Sequence, residues 1–120
     1  MKQTFSKSER LCSQKLIESL FDRQNKANQG FLVYPIRVVF QQNEAGEGIQ
    51  VMFTVSKRNF KKAVDRNIVR RRMREAYRKN KYLLEAYPAS SMGFIFVAKE
   101  ILDYATIEKS MRTIFRKLMR

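Results

Sequence analysis

The sequence contains no histidine among its 120 residues and a single cysteine, Cys12. Histidine titrates near neutral pH and is the most frequent general base, so its absence argues against a nuclease that works by its own side chains. A lone cysteine cannot form an internal disulfide and suits a reducing compartment. We therefore expect a cytoplasmic protein in which Cys12 has no special role.

Long apolar runs and linker sequences are also absent. No run of about eighteen apolar residues occurs, which predicts that nothing spans a membrane and that no membrane is a partner. The first residues, MKQTFSKSERL, lack the apolar stretch of a secretory signal. Repeats, low-complexity tracts and linkers rich in Pro or Gly are missing too. We predict one domain over residues 1–120.

Acidic residues are scarce, with 11 Asp and Glu against 25 Lys and Arg, for a net charge of +14. Residues 57–81 hold twelve of the 25 basic residues and two of the 11 acidic ones, so this segment supplies +10 of the +14. A surface charged only for solubility would mix both signs. The segregation of one sign predicts a polyanionic partner, with nucleic acid the first candidate.

The sequence gives little indication of a metal-binding site. The sequence has no Cys/His cluster and no Gly-rich phosphate loop. Glu44 with Glu47, or Glu100 with Asp103, could hold a magnesium ion, but turn and cap roles explain these carboxylates more simply. We expect neither a metal site nor a catalytic residue on the protein.

The hydrophobic pattern predicts the order helix, two strands, long helix, strand, helix. A first helix capped by Ser13 runs to about Arg23. The β-branched and aromatic stretch FLVYPIRVVF (31–40) predicts a strand, in which Pro35 indicates an edge position or a bulge. A second strand, 49–56, is expected to pair with it as a hairpin.

The second half of the chain is expected to contain two helices around a short strand. The basic helix runs from about Asn67 to Lys79, with Asp65 or Asn67 as its cap, and the strand covers 94–98. Asp103 can cap the last helix. The core stripe of this last helix is Ile107, Met111, Ile114, Phe115 and Leu118. The pattern predicts an α+β fold, a small α/β sandwich with three helices on a central, mostly antiparallel sheet.

The basic helix separates into an apolar and a cationic face. On a helical wheel, Val69, Met73, Ala76 and Tyr77 fall on one arc and should face the sheet. An adjoining arc of roughly 100° carries a line of cations about 15 Å long. Its members are Arg70, Arg71, Arg74, Arg78 and Lys81, while Arg72 and Lys79 lie on the opposite flank.

Arginine outnumbers lysine in this helix, which favours RNA as the partner. A guanidinium group binds phosphate through two hydrogen bonds and also stacks on bases. A merely solvated face or an acidic membrane fits less well, because like charges four residues apart destabilise the helix and no apolar wedge lies beside them. Phe21, Tyr34 and Phe53 could stack on unpaired bases, although the pattern alone favours a place in the core.

At SKRNFKKAVDRNIVRRRMREAYR the sequence resembles the protein component of bacterial ribonuclease P. The core of that family's RNR motif is matched from Ala63 to Glu75, with Arg70 in place of the usual lysine. The opening FSKSERL, the two strand segments and IEKSMRTIFRKL resemble the family as well. The chain departs from it before Ala63, where Lys61 stands in place of the usual glycine and RNFKK has one extra residue.

The resemblance implies a fold with a left-handed βαβ crossover. It implies two RNA partners, the large catalytic RNA and the precursor tRNA whose 5′ leader that RNA removes with Mg²⁺. The protein would bind no cofactor itself, and DNA is not expected. By position, the catalytic RNA would be bound by Arg66, Asn67, Arg70, Arg71, Arg74, Arg78, Lys57, Arg58, Lys61 and Lys62. The cleft for the leader would be lined by Phe21, Ile17, Tyr34 and Phe53.

Two other functions remain open from the sequence. A ribosomal or other structural RNA-binding protein would show the same basic charge without a processing role. A protein-only nuclease would cleave RNA unaided. The RNR core and the aromatic residues of the cleft favour the ribonuclease P subunit, which we expect to be inactive alone.

Overall fold

The computed structural model describes residues 17, 18, 20, 21, 29–42, 48–88 and 90–119. The described strands are β1 (Gln29–Val33), β2 (Ile36–Gln42), β3 (Ile49–Val55) and β4 (Ser90–Phe96). The helices are α1 (Ala63–Asn80), a 3₁₀ turn (Lys81–Leu84) and α2 (Tyr104–Leu118). Of the predicted first helix, residues 17, 18 and 20 are helical, and its predicted cap Ser13 lies outside the described residues.

The strands form one mixed sheet in the order β1-β2-β4-β3. β2 pairs antiparallel with both β1 and β4, whereas β3 and β4 run parallel. The α1 helix therefore connects two parallel neighbours, as a βαβ crossover requires. The left hand of this crossover stays a prediction from the resemblance. The fold is α+β, as predicted.

The predicted hairpin between 31–40 and 49–56 is wrong. The first of these segments is two strands, because the chain reverses at Tyr34 and Pro35 and pairs β1 with β2. Proline lacks the N–H that a continuous ladder needs, which favours a turn at this point. β4 then occupies the place between β2 and β3. The hydrophobic pattern of a strand identifies the strand but not its neighbour.

α1 and α2 cover one face of the sheet and seal the core. Val69, Met73, Ala76 and Tyr77 are buried, as the helical wheel predicts. On α2 the predicted stripe is also confirmed, with Leu118 half-buried and the other four members fully buried. Tyr77, Phe94 and Phe115 meet with ring centroids about 6 Å apart. Each such buried side chain stabilises the fold by about 1.5–3 kcal/mol.

The two helices begin differently. Asp103 caps α2, since its Oδ1 accepts a hydrogen bond from the backbone N–H of Thr106 at 3.0 Å. Hydrogen bonding to the side chain of Thr106, together with this backbone bond, holds the pKa of Asp103 below its ordinary value. α1 begins at Ala63, four residues before the predicted start, and its N-cap, Lys62, makes no side-chain cap bond. Asp65 therefore lies inside the first turn, where a negative charge favours the helix dipole.

Candidate nucleic-acid interface

The outer side of α1 presents arginines to solvent. Arg71 and Arg74 are exposed, and neither makes a hydrogen bond or an ion pair within the described residues. Arg70 is half-buried, and its Nη1 donates a hydrogen bond to Oδ1 of Asn67 at 3.1 Å. Within the described residues, Arg71 and Arg74 are therefore the two members of the predicted strip that make no hydrogen bond or ion pair with the protein.

Arg78 belongs to the predicted strip but has a partner in the protein. Its Nε donates to Oε2 of Glu75 at 3.1 Å, and its Nη2 bonds the other carboxylate oxygen. This fork lowers the pKa of Glu75 and raises that of Arg78. Lys79 Nζ lies 4.0 Å from the same carboxylate. The positive field at this end of α1 is therefore partly neutralised.

Arg66 joins α1 to the loop that precedes it. Its Nη1 donates to the carbonyl oxygens of Phe60 at 2.7 Å and of Lys61 at 3.0 Å. Phe60 is buried, with its ring centroid 5.9 Å from that of Phe96, so the loop is anchored at both points. The motif predicts only RNA binding for Arg66, and the structure adds bonds to the backbone that the motif could not reveal.

The same loop carries four predicted RNA-binding cations, which are Lys57, Arg58, Lys61 and Lys62. All four are exposed. No described residue other than glycine has a positive φ, so Lys61 occupies the family's glycine position without a left-handed backbone. The loop thus needs no glycine there, and the bonds from Arg66 hold its shape.

The opposite flank of α1 faces α2. Arg72 Nη1 donates to the carbonyl oxygen of Leu102 at 2.7 Å, and the Lys79 ammonium lies 5.7 Å from the ring centroid of Tyr104. Asn80 is buried and donates to Oε2 of Glu108 at 3.1 Å. These contacts attach α1 to α2, so the cations of this flank contribute to the fold.

The other face of the sheet receives the first helical segment at Gly93. A Cβ atom at this position would lie 3.3 Å from Cζ of Phe21 and 3.4 Å from Cδ2 of Leu20. Phe21 remains 39% exposed although Leu20 is buried. The absence of a side chain at Gly93 therefore lets an aromatic ring lie against the sheet while one side of it stays accessible.

The four residues predicted for the leader cleft do not come together. Phe53 is stacked on Phe94 at 5.6 Å and also meets Tyr77 on the face that the helices cover. Strand alternation places Gly93 and Phe21 on the opposite face. Phe53 is therefore half-buried against the core and lies on the other face from Phe21, so its role in the cleft stays a prediction from the resemblance. Tyr34 is 63% exposed at the β1–β2 turn, and Ile17 is half-buried.

Sequence reasoning missed the residues that do share the face of Gly93. Met52 pairs with Gly93 in the β3–β4 register, and Thr54 pairs with Ile95. The side chains of Met52, Thr54 and Ile95 are half-buried. The alternation within β3 places Met52 and Thr54 on the face opposite the core positions, which indicates a more open face. The sequence did not show that β4 is the neighbour of β3, and so it did not show that Gly93 and Ile95 share this face.

Carboxylates in the described ranges do not fit a magnesium site. No group of three or more His, Cys, Asp or Glu residues lies together there. The carboxylate of Glu75 is bonded to Arg78, that of Glu108 accepts from Asn80 and Tyr104, and that of Asp103 caps α2. Burial, together with the hydrogen bond to Glu108, raises the pKa of Tyr104 to about 12.

Comparison with known proteins decides the family. The family model described as Ribonuclease P matches residues 5–119. The chain belongs to the ribonuclease P protein family. A ribonuclease P protein component from Porphyromonas gingivalis is 36% identical over 114 residues, which cover 89% of this chain and 80% of the relative. One from Citrifermentans bemidjiense is 38% identical over 86 residues, covering 69% and 68% of the two chains.

Solved structures of ribonuclease P proteins share the fold. The protein from Thermotoga maritima superposes with a TM-score of 0.74 at 20% identity, covering 91% of this chain and 96% of the other. The Staphylococcus aureus protein gives a TM-score of 0.73 at 18% identity, covering 91% and 94%. Membership in the ribonuclease P family implies a role in RNA processing with an RNA partner. In the part of the chain that is described, no helix is long and apolar enough to cross a bilayer.

Proposed function

We propose that the chain is the protein subunit of ribonuclease P. In this function it binds the catalytic RNA and the 5′ leader of precursor tRNA in the cytoplasm, and so assists removal of the leader. The observation that carries the proposal is the exposed pair Arg71 and Arg74 within an RNR motif on α1. Guanidinium groups without a carboxylate partner suit phosphate, which they bind through two parallel hydrogen bonds.

We assign graded roles to the residues of the motif. Arg70, Arg71 and Arg74 bind phosphates of the catalytic RNA, and the exposed loop cations Lys57, Arg58, Lys61 and Lys62 extend this surface. Arg66 and Asn67 act mainly by position, because their side chains bond the loop backbone and Arg70. Arg78 contributes less, because Glu75 competes for its guanidinium.

For the leader we propose the open face of the sheet beside Gly93. Phe21 presents an accessible ring there, and Tyr34 is exposed at the adjoining β1–β2 turn. Unpaired bases stack on aromatic rings with about 1–3 kcal/mol per base. Phe21→Ala should therefore weaken binding of leader-bearing precursor tRNA by about fivefold or more and leave mature tRNA unaffected. Equal losses for both RNAs would identify Phe21 as a packing residue only.

The proposed mechanism leaves hydrolysis to the RNA. The chain has no histidine, and the carboxylates of Glu75 and Asp103 are used in an ion pair and a helix cap. Magnesium would be held by the RNA and supply the nucleophile for cleavage. The protein's own residues bind phosphate and orient the leader, which raises the affinity for precursor over product.

The proposal is tested by cleavage of precursor tRNA at low magnesium concentration, with a bacterial catalytic RNA in the presence and absence of this chain. The chain alone should be inert, and its addition should restore cleavage at the mature 5′ end. RNA binding without stimulation, repeated with the catalytic RNA of its own organism, would favour a structural RNA-binding protein. Cleavage by the chain without RNA would favour a protein-only nuclease.

A further inference from the structure

A second basic surface lies on α2. Lys109, Arg112 and Arg116 form it, and we name these three residues the α2 ridge. At 100° per residue they fall within an arc of about 60° and extend over about 10 Å of helix. Lys109 and Arg116 are exposed and Arg112 is half-buried. The buried stripe of α2 takes the other side of the helix, so the ridge is not required to fill the core.

The α2 ridge is not neutralised by the protein. None of its three cations makes an ion pair within the described ranges. The neighbouring acid, Glu108, is directed to α1, where its Oε2 accepts hydrogen bonds from Asn80 at 3.1 Å and from the Tyr104 hydroxyl at 3.0 Å. Like charges three and four residues apart on one helix repel each other. An external anion would relieve that repulsion.

Within the described part of the chain, no acceptor bonds the Nε of Arg112, which is buried. Buried polar groups are nearly always bonded, so this N–H is an exception. The Nε itself is closed to solvent, but the side chain as a whole is half-buried, and its exposed part can meet an acceptor from outside the protein. Arg112 and Arg116 line a shallow groove of about 310 Å³ on this side of α2. The groove is also lined by Lys109, by Thr113, whose hydroxyl donates to the backbone carbonyl of Lys109, and by Ala105 and Glu108.

The α2 ridge is separate from the arginine strip of α1. α2 packs against the flank of α1 that carries Arg72, which bonds Leu102. The strip residues Arg70 and Arg74 lie on the other flank by the helical wheel. On the helical wheel Glu75 lies between the arginine strip and the flank of α1 that carries Arg72. Glu108 lies on the side of α2 toward α1, where it accepts from Asn80. A phosphate backbone avoids such carboxylates, so the two rows suit two different backbone segments.

We propose that the α2 ridge is a second RNA-binding surface, which contacts a backbone segment other than the one bound by α1. It would recognise phosphates and not bases, because the ridge contains no aromatic side chain. Along one strand of a duplex the phosphates are about 3.4 Å apart, so a helix face of about 10 Å meets about three phosphates. The inference rests on the proposed function for the identity of the RNA, and the surface itself rests on the structure.

The test measures RNA affinity against salt concentration, with a bacterial ribonuclease P RNA and with a plain RNA duplex as probes. The triple variant Lys109→Gln, Arg112→Gln, Arg116→Gln should lower the slope of log K against log salt by about two to three units. It should weaken binding at least tenfold near 0.15 M salt. Arg116→Gln alone should lower the slope by about 0.9.

Lys99→Gln is the matched control for Arg116→Gln, because Lys99 is exposed, lies outside α2 and loses the same charge. Its slope change should be clearly smaller than that of Arg116→Gln. Arg112→Lys with Arg116→Lys keeps the charge and should keep most of the slope, which separates lost contacts from misfolding. Equal slopes for the triple variant and the control on both probes would overturn the proposal.

Footprints of the catalytic RNA locate the segment. Loss of protection at different nucleotides in the ridge variant and in an α1 variant would support two backbone segments, whereas loss at the same nucleotides would overturn that inference. The wild-type chain could bind only the plain duplex, with the triple variant still lowering the salt slope. That result would contradict the proposed function and would still support the α2 ridge as an RNA-binding surface. Retention on phosphatidylserine vesicles that the triple variant loses, with RNA slopes unchanged, would assign the ridge to a membrane and overturn the RNA proposal.

Discussion

α1 carries arginines on two flanks, and the protein uses the two sets in different ways. Arg72, on the flank toward α2, donates to a backbone carbonyl at 2.7 Å, and Arg74, two residues later, is exposed and unbonded within the described residues. Both belong to the same short basic segment and have the same chemistry. The difference shows that a run of arginines contains structural and binding members, which only the three-dimensional neighbours separate.

The largest effect is expected from the outer flank. Arg71→Ala with Arg74→Ala should reduce the salt slope for the catalytic RNA by nearly two units, because each lost phosphate contact removes about 0.9. The loss of affinity should be on the order of tenfold or more. Filter binding over a salt series measures both quantities. An unchanged slope would remove these residues from the interface.

The inner flank should give the opposite result. Arg72→Ala deletes the bond to the carbonyl of Leu102 and should lower the free energy of unfolding by about 1 kcal/mol. The salt slope for RNA should not change. Thermal or urea unfolding, compared with Arg74→Ala as the control, tests this distinction. A stable Arg72→Ala protein with a reduced slope would show that the two flanks are not different after all.

A smaller effect is expected from releasing Arg78. Glu75→Gln removes the carboxylate charge that holds this guanidinium, so Arg78 should become available to RNA and the salt slope should rise by less than one unit. Arg78→Ala in the Glu75→Gln background should reverse the rise. No rise would mean that Arg78 does not reach the RNA even without the carboxylate of Glu75.

The same pair has a predictable pH dependence. Arg78 lowers the pKa of Glu75 below its ordinary value of 4.5 in the folded protein. The unfolded chain therefore binds the proton more tightly, so the contribution to stability is present above pH 4.5 and is lost as the pH falls through the folded pKa. Titration by NMR should show the pKa of Glu75 rising in Arg78→Ala. An unchanged pKa would contradict the pair as its cause.

The smallest effect is expected at the loop before α1. Lys61→Gly restores the residue that the family usually has, and no left-handed backbone requires it. The added chain entropy should lower stability by about 0.5–1 kcal/mol. The loss of one cation should reduce the salt slope by at most about one unit. Increased stability would show that Lys61 is held under strain.

The helices were predictable because each has a periodic apolar face. Val69, Met73 and Tyr77 recur at helical spacing, and burial follows from that spacing alone. The arrangement of the sheet was harder to predict from the sequence. β4 begins at Ser90, but its first residues are small or polar and do not read as a strand. Its place between β2 and β3 depends on contacts distant in sequence, which no local pattern contains.

The candidate site was predictable in its composition and not in its division of labour. The basic segment and the RNR core identify α1 as the RNA-binding element from charge and spacing. The bonds of Arg66 and Arg72 to backbone carbonyls could not be read from the sequence, because the acceptors belong to other elements. The place of Phe53 in the core follows from its stacking on Phe94, a residue 41 positions later.

The central position of β4 has a consequence for how the protein is made. The strand is the last of the four described strands, yet both β2 and β3 need it as a neighbour. During synthesis, at about 5–20 residues per second, those two strands keep unpaired edges until Ser90–Phe96 has emerged. α1 is complete before that moment, but its supporting layer is not. A nascent chain that stalls before Ser90 should therefore expose a basic helix and two open strand edges, a combination prone to aggregation on nearby RNA.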